Sequence, residues 1–233
     1  MYKYKRLVIK LGTSTLTSGT SYISEKNLSN IVFQINKLCQ NNCEVVIVSS
    51  GAMAAGKEKL VFPNLPKDIP EKQMLSAIGQ PQLMAVYARL FAKHNRTVAQ
   101  VLLTRQDITQ RRSYLNSRNT LISLLKQKVV PIVNENDAVA TEEIRVGDND
   151  NLSALVSNLI DAEVLLILTD QPGMYTSDPN INPNAKLLKE ITEPNIPDYL
   201  WKYAGESNDE LGTGGMITKL QAADLARRSG TTV

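Results

Sequence analysis

The chain has 233 residues, 42% hydrophobic and 21% charged, with a formal net charge of +3. That length suits one large domain with a continuous core, or two small ones. Basic residues are scattered among acids and aromatics make up only 5%, so neither a nucleic-acid footprint nor a platform for stacked bases is expected. No apolar run approaches the ~18 residues of a membrane span, and MYKYKRLVIKLG leads straight into a strand without a signal-peptide pattern, so the expected location is the cytoplasm, with no membrane partner.

Leu7 to Leu11 predicts a buried strand interrupted only by Lys10 and ending at Gly12-Thr13-Ser14. An unpaired buried ammonium is very costly, so Lys10 must find an anion or snorkel, with a phosphate favoured over a structural ion pair. Gly12 lets backbone N–H groups approach a ligand closely. Ser24 then caps a helix with Leu28, Ile31, Val32, Ile35 and Leu38 on one face. Cys39 and Cys43, the only cysteines, have no histidine nearby and read as a reduced structural pair.

Glu44 to Val48 is a β-branched run suited to a parallel strand covered on both faces. It ends in Ser49-Ser50-Gly51-Ala52, where a strand turns into a small-residue helix start that can collect carboxylates or phosphates. Val48 stands where a nucleophile elbow needs glycine, so Ser50 reads as a binding hydroxyl. Beyond Pro63, Pro66 and Pro70, Glu71 to Lys93 predicts one long helix or two, because Pro81 lies inside the pattern. Its apolar face packs on the sheet or serves a subunit interface, and the single His94 follows it in a solvated position.

Thr97 to Leu103 predicts a strand, Tyr114 to Lys126 a helix, and Val129 to Val133 a strand that runs into Asn134-Glu135-Asn136-Asp137-Ala138-Val139-Ala140. Polar residues directly after a buried strand matter because open α/β sheets bind ligands outside the carboxyl ends of their strands. The densest polar cluster is Asp148, Asn149, Asp150 and Asn151, within VGDNDNLSAL at a helix start. One such residue suffices for a cap, and the surplus can hold a polar substrate or steer lysines.

Val164 to Leu168 is a further strand, ending at Thr169-Asp170 and followed by a Pro/Asn-rich cover segment to Asn184. Gly212-Thr213-Gly214-Gly215-Met216-Ile217-Thr218-Lys219 then opens a helix whose first-turn N–H groups can receive phosphate, with Lys219 about a turn inside. The spacing is not that of Walker A, which places lysine beside the last glycine, and no dinucleotide-binding GxGxxG opens a βαβ unit.

Together VIKLGTS, VVIVSSGAMAAG, NENDAVA, VGDNDNLSALV, LLILTDQPGMYTSDP and LGTGGMITKLQAA resemble the amino-acid kinase family, NENDAVA and GDNDNLSA pointing to its glutamate-phosphorylating branch. The resemblance implies a three-layer α/β/α sandwich with a mainly parallel open sheet, covering residues 1–233 as one kinase domain. Relative to the family pattern, the chain stops short of the last strands and has no PUA domain. The implied reaction transfers phosphate from ATP, with Mg²⁺ carried mainly by the nucleotide, to the side-chain carboxylate of L-glutamate at the entry to proline synthesis.

Carried over residue by residue, Lys10, Asp150 and Lys219 are the catalytic group, and Ser50, Gly51, Asn134, Asp137 and Asn149 hold glutamate. Lys10, Gly12, Thr169, Asp170 and the run Thr213, Gly214, Gly215, Met216, Ile217, Thr218 and Lys219 hold ATP, and no residue is assigned as a metal ligand. Proline inhibition and a homo-oligomer are implied as well. The alternatives are a kinase of the same fold acting on aspartate, acetylglutamate, carbamate or UMP, or a sensor without catalysis. A glutamate carboxylate is already ionised at neutral pH, so the chemistry needs charge neutralisation and no general base.

Overall fold

The computed structural model describes residues 3–60, 68–139, 149–177, 179, 181–193, 195–205 and 215–233. Five strands, β1 (Arg6–Leu11), β2 (Glu44–Ser49), β3 (Val98–Leu103), β4 (Val130–Glu135) and β5 (Val164–Leu168), form one sheet in the order β3-β4-β2-β1-β5. Every pairing is parallel. Leu11 is level with Ser49 and Leu168, and Leu103 with Glu135, so the strands end along a common edge. Beside β5, Val164 bridges Thr232 in parallel.

Side chains alternate between the two faces of a strand, and that alternation builds the layers. Leu7, Ile9 and Leu11 point into a core shared with Leu28, Val32 and Ile35 of α2 (Glu25–Gln40) and Leu83, Tyr87 and Phe91 of α4 (Ile69–Ala92). Val8, Val46 and Val48 point the other way, against Leu121 and Leu125 of α6 (Arg111–Lys126), Leu152 and Val156 of α7 (Asn149–Leu159) and Ala222 of α9 (Met216–Arg227). Lys10 shares the parity of Val8 and therefore faces the layer that contains α7. A smaller cluster joins Ile196 and Leu200 to Leu220, and so seats α8 (Asp198–Gly205) on α9.

Ser24 caps α2 through its hydroxyl, which accepts from the N–H of Asn27 at 3.4 Å. The proline-containing segment is a single helix. Asp68 caps α4, Pro70 lies in its first turn where no intrahelical N–H is needed, and the helix passes through Pro81 without ending. Four elements go beyond the sequence expectation: α1 (Thr13–Thr17), α5 (Arg105–Thr109), α8 and the 3₁₀ turn Asp137–Val139. α5 is opened by the reciprocal Thr104–Asp107 capping box.

α3 (Ala52–Leu60) crosses α4 at backbone contact. A Cβ added at Gly79 would lie 1.8 Å from the carbonyl oxygen of Ala52 and 2.3 Å from the nitrogen of Gly56, and one added at Gly56 would lie 2.0 Å from the Leu75 carbonyl oxygen. Only glycine on both helices allows this approach, and it fixes the residues beside Gly79 against the start of α3. Cys39 and Cys43 are both free thiols, with Cys43 buried and donating to the Tyr4 carbonyl at 3.3 Å. His94 stands in the turn after α4, its ring 6.1 Å from that of Phe33.

Candidate active site

The carboxyl edge of the sheet gathers side chains from four segments. From β1, Lys10 Nζ lies 2.5 Å from Asp150 Oδ1, close in distance though without hydrogen-bond angles. From α9, Lys219 Nζ lies 3.6 Å from Asp150 Oδ2. The Asp150 side chain is 1% exposed and that of Lys10 8%, so this ion triad is desolvated. Such a group persists only because each charge has a partner. One carboxylate between two ammonium groups leaves one positive charge in excess within the triad. Gly12 follows directly, in van der Waals range of the Lys10 ammonium, where a Cβ would lie 3.4 Å from Nζ.

Asp150 is held from the other side as well. Thr218 Oγ1 lies 2.7 Å from Asp150 Oδ2 and 2.8 Å from the Gly215 carbonyl oxygen. The Thr218 side chain therefore steadies the acid, leaving its backbone N–H among those that the first turn of α9 presents. Gly215 is the extended N-cap of α9, with Met216, Ile217 and Lys219 following in its first turn. Thr169 and Asp170 stand at the carboxyl end of β5, where Thr169 Oγ1 donates to Asp170 Oδ1 at 3.0 Å. Thr213, Gly214 and Asp148 lie outside the described residues.

Next to the triad, a chain of amides runs through the edge. The anchor is the backbone N–H of Glu135, which donates to Asn134 Oδ1 at 2.9 Å and so fixes which end of that amide is oxygen. Asn134 Nδ2 must then face the other way, and it donates to Gln80 Oε1 of α4 at 2.9 Å. Asn149 Nδ2 donates to the same Asn134 Oδ1 at 2.9 Å and to Ser50 Oγ at 3.0 Å. Because Ser50 accepts, its own O–H is available to a carboxylate. Among the described residues, Asn149 Oδ1 has no hydrogen-bond partner. Gly51 follows at φ +98, where a Cβ would strike Leu16 at 2.8 Å, so this strand-to-helix turn requires glycine.

Asp137 occupies the 3₁₀ turn after β4, with its side chain buried. Burial pushes its carboxyl above the ordinary aspartate range, and the nearby Ser76 hydroxyl opposes this by favouring the ionised form, without well-formed hydrogen-bond geometry. Ser76 and Gln80 carried no expectation from sequence. Their signal was position: 76, 80, 83 and 87 form one i, i+4, i+7, i+11 stripe, and a serine and a glutamine interrupt it ahead of buried Leu83 and Tyr87.

An open parallel sheet whose carboxyl edge presents two lysines around one buried acid, beside a glycine-opened helix start, defines an α/β/α fold built to receive anionic groups. The amino acid kinase family model matches residues 5–233, and the chain belongs to that family. It is 53% identical over 233 residues to a glutamate 5-kinase of Dehalococcoides mccartyi, covering 99% of this chain and 62% of that protein. To a glutamate 5-kinase of Vibrio vulnificus it is 52% identical, over 98% of this chain and 60% of the relative. The chain thus spans about three fifths of the length of these relatives. A UMP kinase structure from Bacillus anthracis matches with a TM-score of 0.57 at 17% identity, covering 95% of this chain and 83% of that one, a likeness of fold alone.

Proposed function

We propose that this protein transfers the γ-phosphoryl group of ATP to the side-chain carboxylate of L-glutamate, giving L-glutamyl 5-phosphate at the entry to proline synthesis. The observation that carries the reading is the buried Lys10–Asp150–Lys219 triad at the carboxyl edge of the sheet. The difficulty in this reaction is electrostatic, because a carboxylate must approach a polyanion while charge builds on the transferring and leaving oxygens. Two ammonium groups aimed by a fixed acid supply charge stabilisation at that point, and the site supplies positioning. Lys10 meets the transferring group from the strand side and Lys219 from the start of α9, where first-turn N–H groups add positive potential. The hydroxyl of Ser50 and the amide of Asn149 hold the acceptor, and Asp137 pairs with its α-ammonium.

Mg²⁺ enters this reading with the nucleotide. Both oxygens of Asp150 face lysines, and among the described residues no three His, Cys, Asp or Glu side chains gather as a metal cage. A magnesium ion bound largely through substrate phosphates and water needs no such cage, and it would neutralise phosphate charge there. The same reading includes proline as an inhibitor, a homo-oligomeric state and a cytoplasmic location. Among the described residues no helix is long and apolar enough to cross a membrane.

The test is ADP formation from ATP with a panel of L-glutamate, L-aspartate, N-acetylglutamate, carbamate and UMP, with the acyl phosphates of the carboxylic acceptors trapped as hydroxamates. ADP formation with glutamate above the others is expected. Preference for another acceptor would reassign the substrate, and ATP binding without turnover of any would favour a sensor.

A further inference from the structure

Gln80 sits in the middle of α4, far in sequence from every motif above, yet its side chain reaches the acceptor site. Its Oε1 is occupied by Asn134 Nδ2 at 2.9 Å. Its Nε2, in contrast, has no hydrogen-bond partner among the described residues, and Gln80 is only 8% exposed. Asp137 Oδ1 is likewise buried and unpartnered. Both residues line one cavity of about 40 Å³, together with Ser76 and Ala52. At ~10–15 Å³ for each water-sized group, that space takes about three such groups.

A buried donor and a buried acceptor in one cavity are each costly unless water or a ligand completes them, and a ligand that displaces the water must replace both contacts. What completes both is a group that carries an acceptor and a donor side by side. The α-carbon of a free amino acid does so, with a carboxylate next to an ammonium. We infer that Gln80 Nε2 binds the α-carboxylate of the amino-acid substrate while Asp137 takes its α-ammonium, which makes α4 a wall of the substrate site and Gln80 a determinant of specificity for free α-amino acids. The Gly79–Ala52 backbone contact holds that wall in register. This inference rests on the glutamate reading above and assigns the end of the substrate remote from the phosphoryl group.

The experiment measures dissociation constants by calorimetry for L-glutamate and for its α-amide, which keeps the ammonium and side chain but replaces the α-carboxylate by a neutral amide. Gln80→Glu retains an oxygen for Asn134 and places a negative charge against the α-carboxylate. Gln80→Leu removes both functions at similar volume. Gln80→Glu is expected to weaken glutamate at least tenfold while changing the α-amide less than twofold, so that the preference for glutamate shrinks or inverts. Gln80→Leu is expected to erase most of the preference with the thermal midpoint still cooperative. Unchanged glutamate affinity in Gln80→Glu, or equal weakening of both ligands in both variants, overturns the inference. Failure of the unaltered protein to bind glutamate overturns the substrate reading itself and this inference with it, a result distinct from binding that survives the substitutions.

Discussion

Replacing Asp150 by Asn removes one charge and almost no volume, and the structure gives the cost. At an effective dielectric of ~20, the Lys10 contact at 2.5 Å corresponds to a gross attraction of about 7 kcal/mol and the Lys219 contact at 3.6 Å to about 5 kcal/mol. Much of that repays desolvation, so the net loss on removing the shared acid is about 3–5 kcal/mol, the range for breaking a buried pair. The amide oxygen still accepts from Thr218, which turns the NH₂ group towards Lys10 and leaves that ammonium unbalanced. For a chain of this size each kcal/mol moves the thermal midpoint by ~2–4 °C, so a fall of about 10 °C is expected in scanning calorimetry. If sulfate or ATP binds at the two uncompensated lysines, it should raise the midpoint of the variant more than that of the wild type. A midpoint within a degree of wild type, with no added response to anions, would refute the argument that Asp150 balances both lysines.

Gly79→Ala places a Cβ against backbone on both sides of the α3–α4 crossing, so the helices must part. Overpacking of this kind costs about 1–3 kcal/mol, and the backbone obstacle puts it at the upper end; denaturant unfolding measures it, and the glutamate KM should rise because Gln80 and Ala52 move apart. Asp137 titrates above the ordinary aspartate range. A raised carboxyl favours the protonated folded state, so its ionisation costs stability as pH rises through the shifted value, whereas the ligand ammonium requires the ionised form. Glutamate affinity should therefore climb as pH rises above the ordinary aspartate range, and Asp137→Asn should bind weakly with a flattened profile. A profile identical to wild type in that variant would remove Asp137 from ammonium recognition. Ser50→Ala deletes the hydroxyl that accepts from Asn149 and should raise the glutamate KM about tenfold, the scale of a hydrogen bond to a charged group.

Much of this site was legible along the chain because strand parity and strand ends are local properties. Lys10 interrupts an apolar strand one residue before its end, which announces an anion, and the β-branched runs mark the buried parallel sheet. The Asp/Asn cluster at the start of α7 stood out because it exceeds what capping needs. The polar side of α4 was not legible in the same way. Ser76 and Gln80 lie in a long helix whose apolar pattern dominates any window, and their role depends on a glycine-to-backbone crossing between two helices that no periodicity reports. One long helix or two were both read through Pro81, and only the fold decides for one, since a proline that neighbouring packing tolerates looks the same in sequence as one that breaks a helix. The amide directions follow from a contact between neighbours, the Glu135 N–H on Asn134 Oδ1, but the partners that use them, Gln80 and Asn149, are 54 and 15 residues away from Asn134 and meet it only in the fold.

The most direct measurement of the central claim is steady-state hydroxamate formation from ATP and glutamate by Lys10→Ala and Lys219→Ala. Losing one group that stabilises the charge developing on the phosphoryl group is expected to lower kcat by about 10²–10³, and the glutamate KM should stay within a few-fold of wild type if both lysines act on the phosphoryl side. Wild-type turnover in either variant would contradict the account, and so would a loss confined to the glutamate KM.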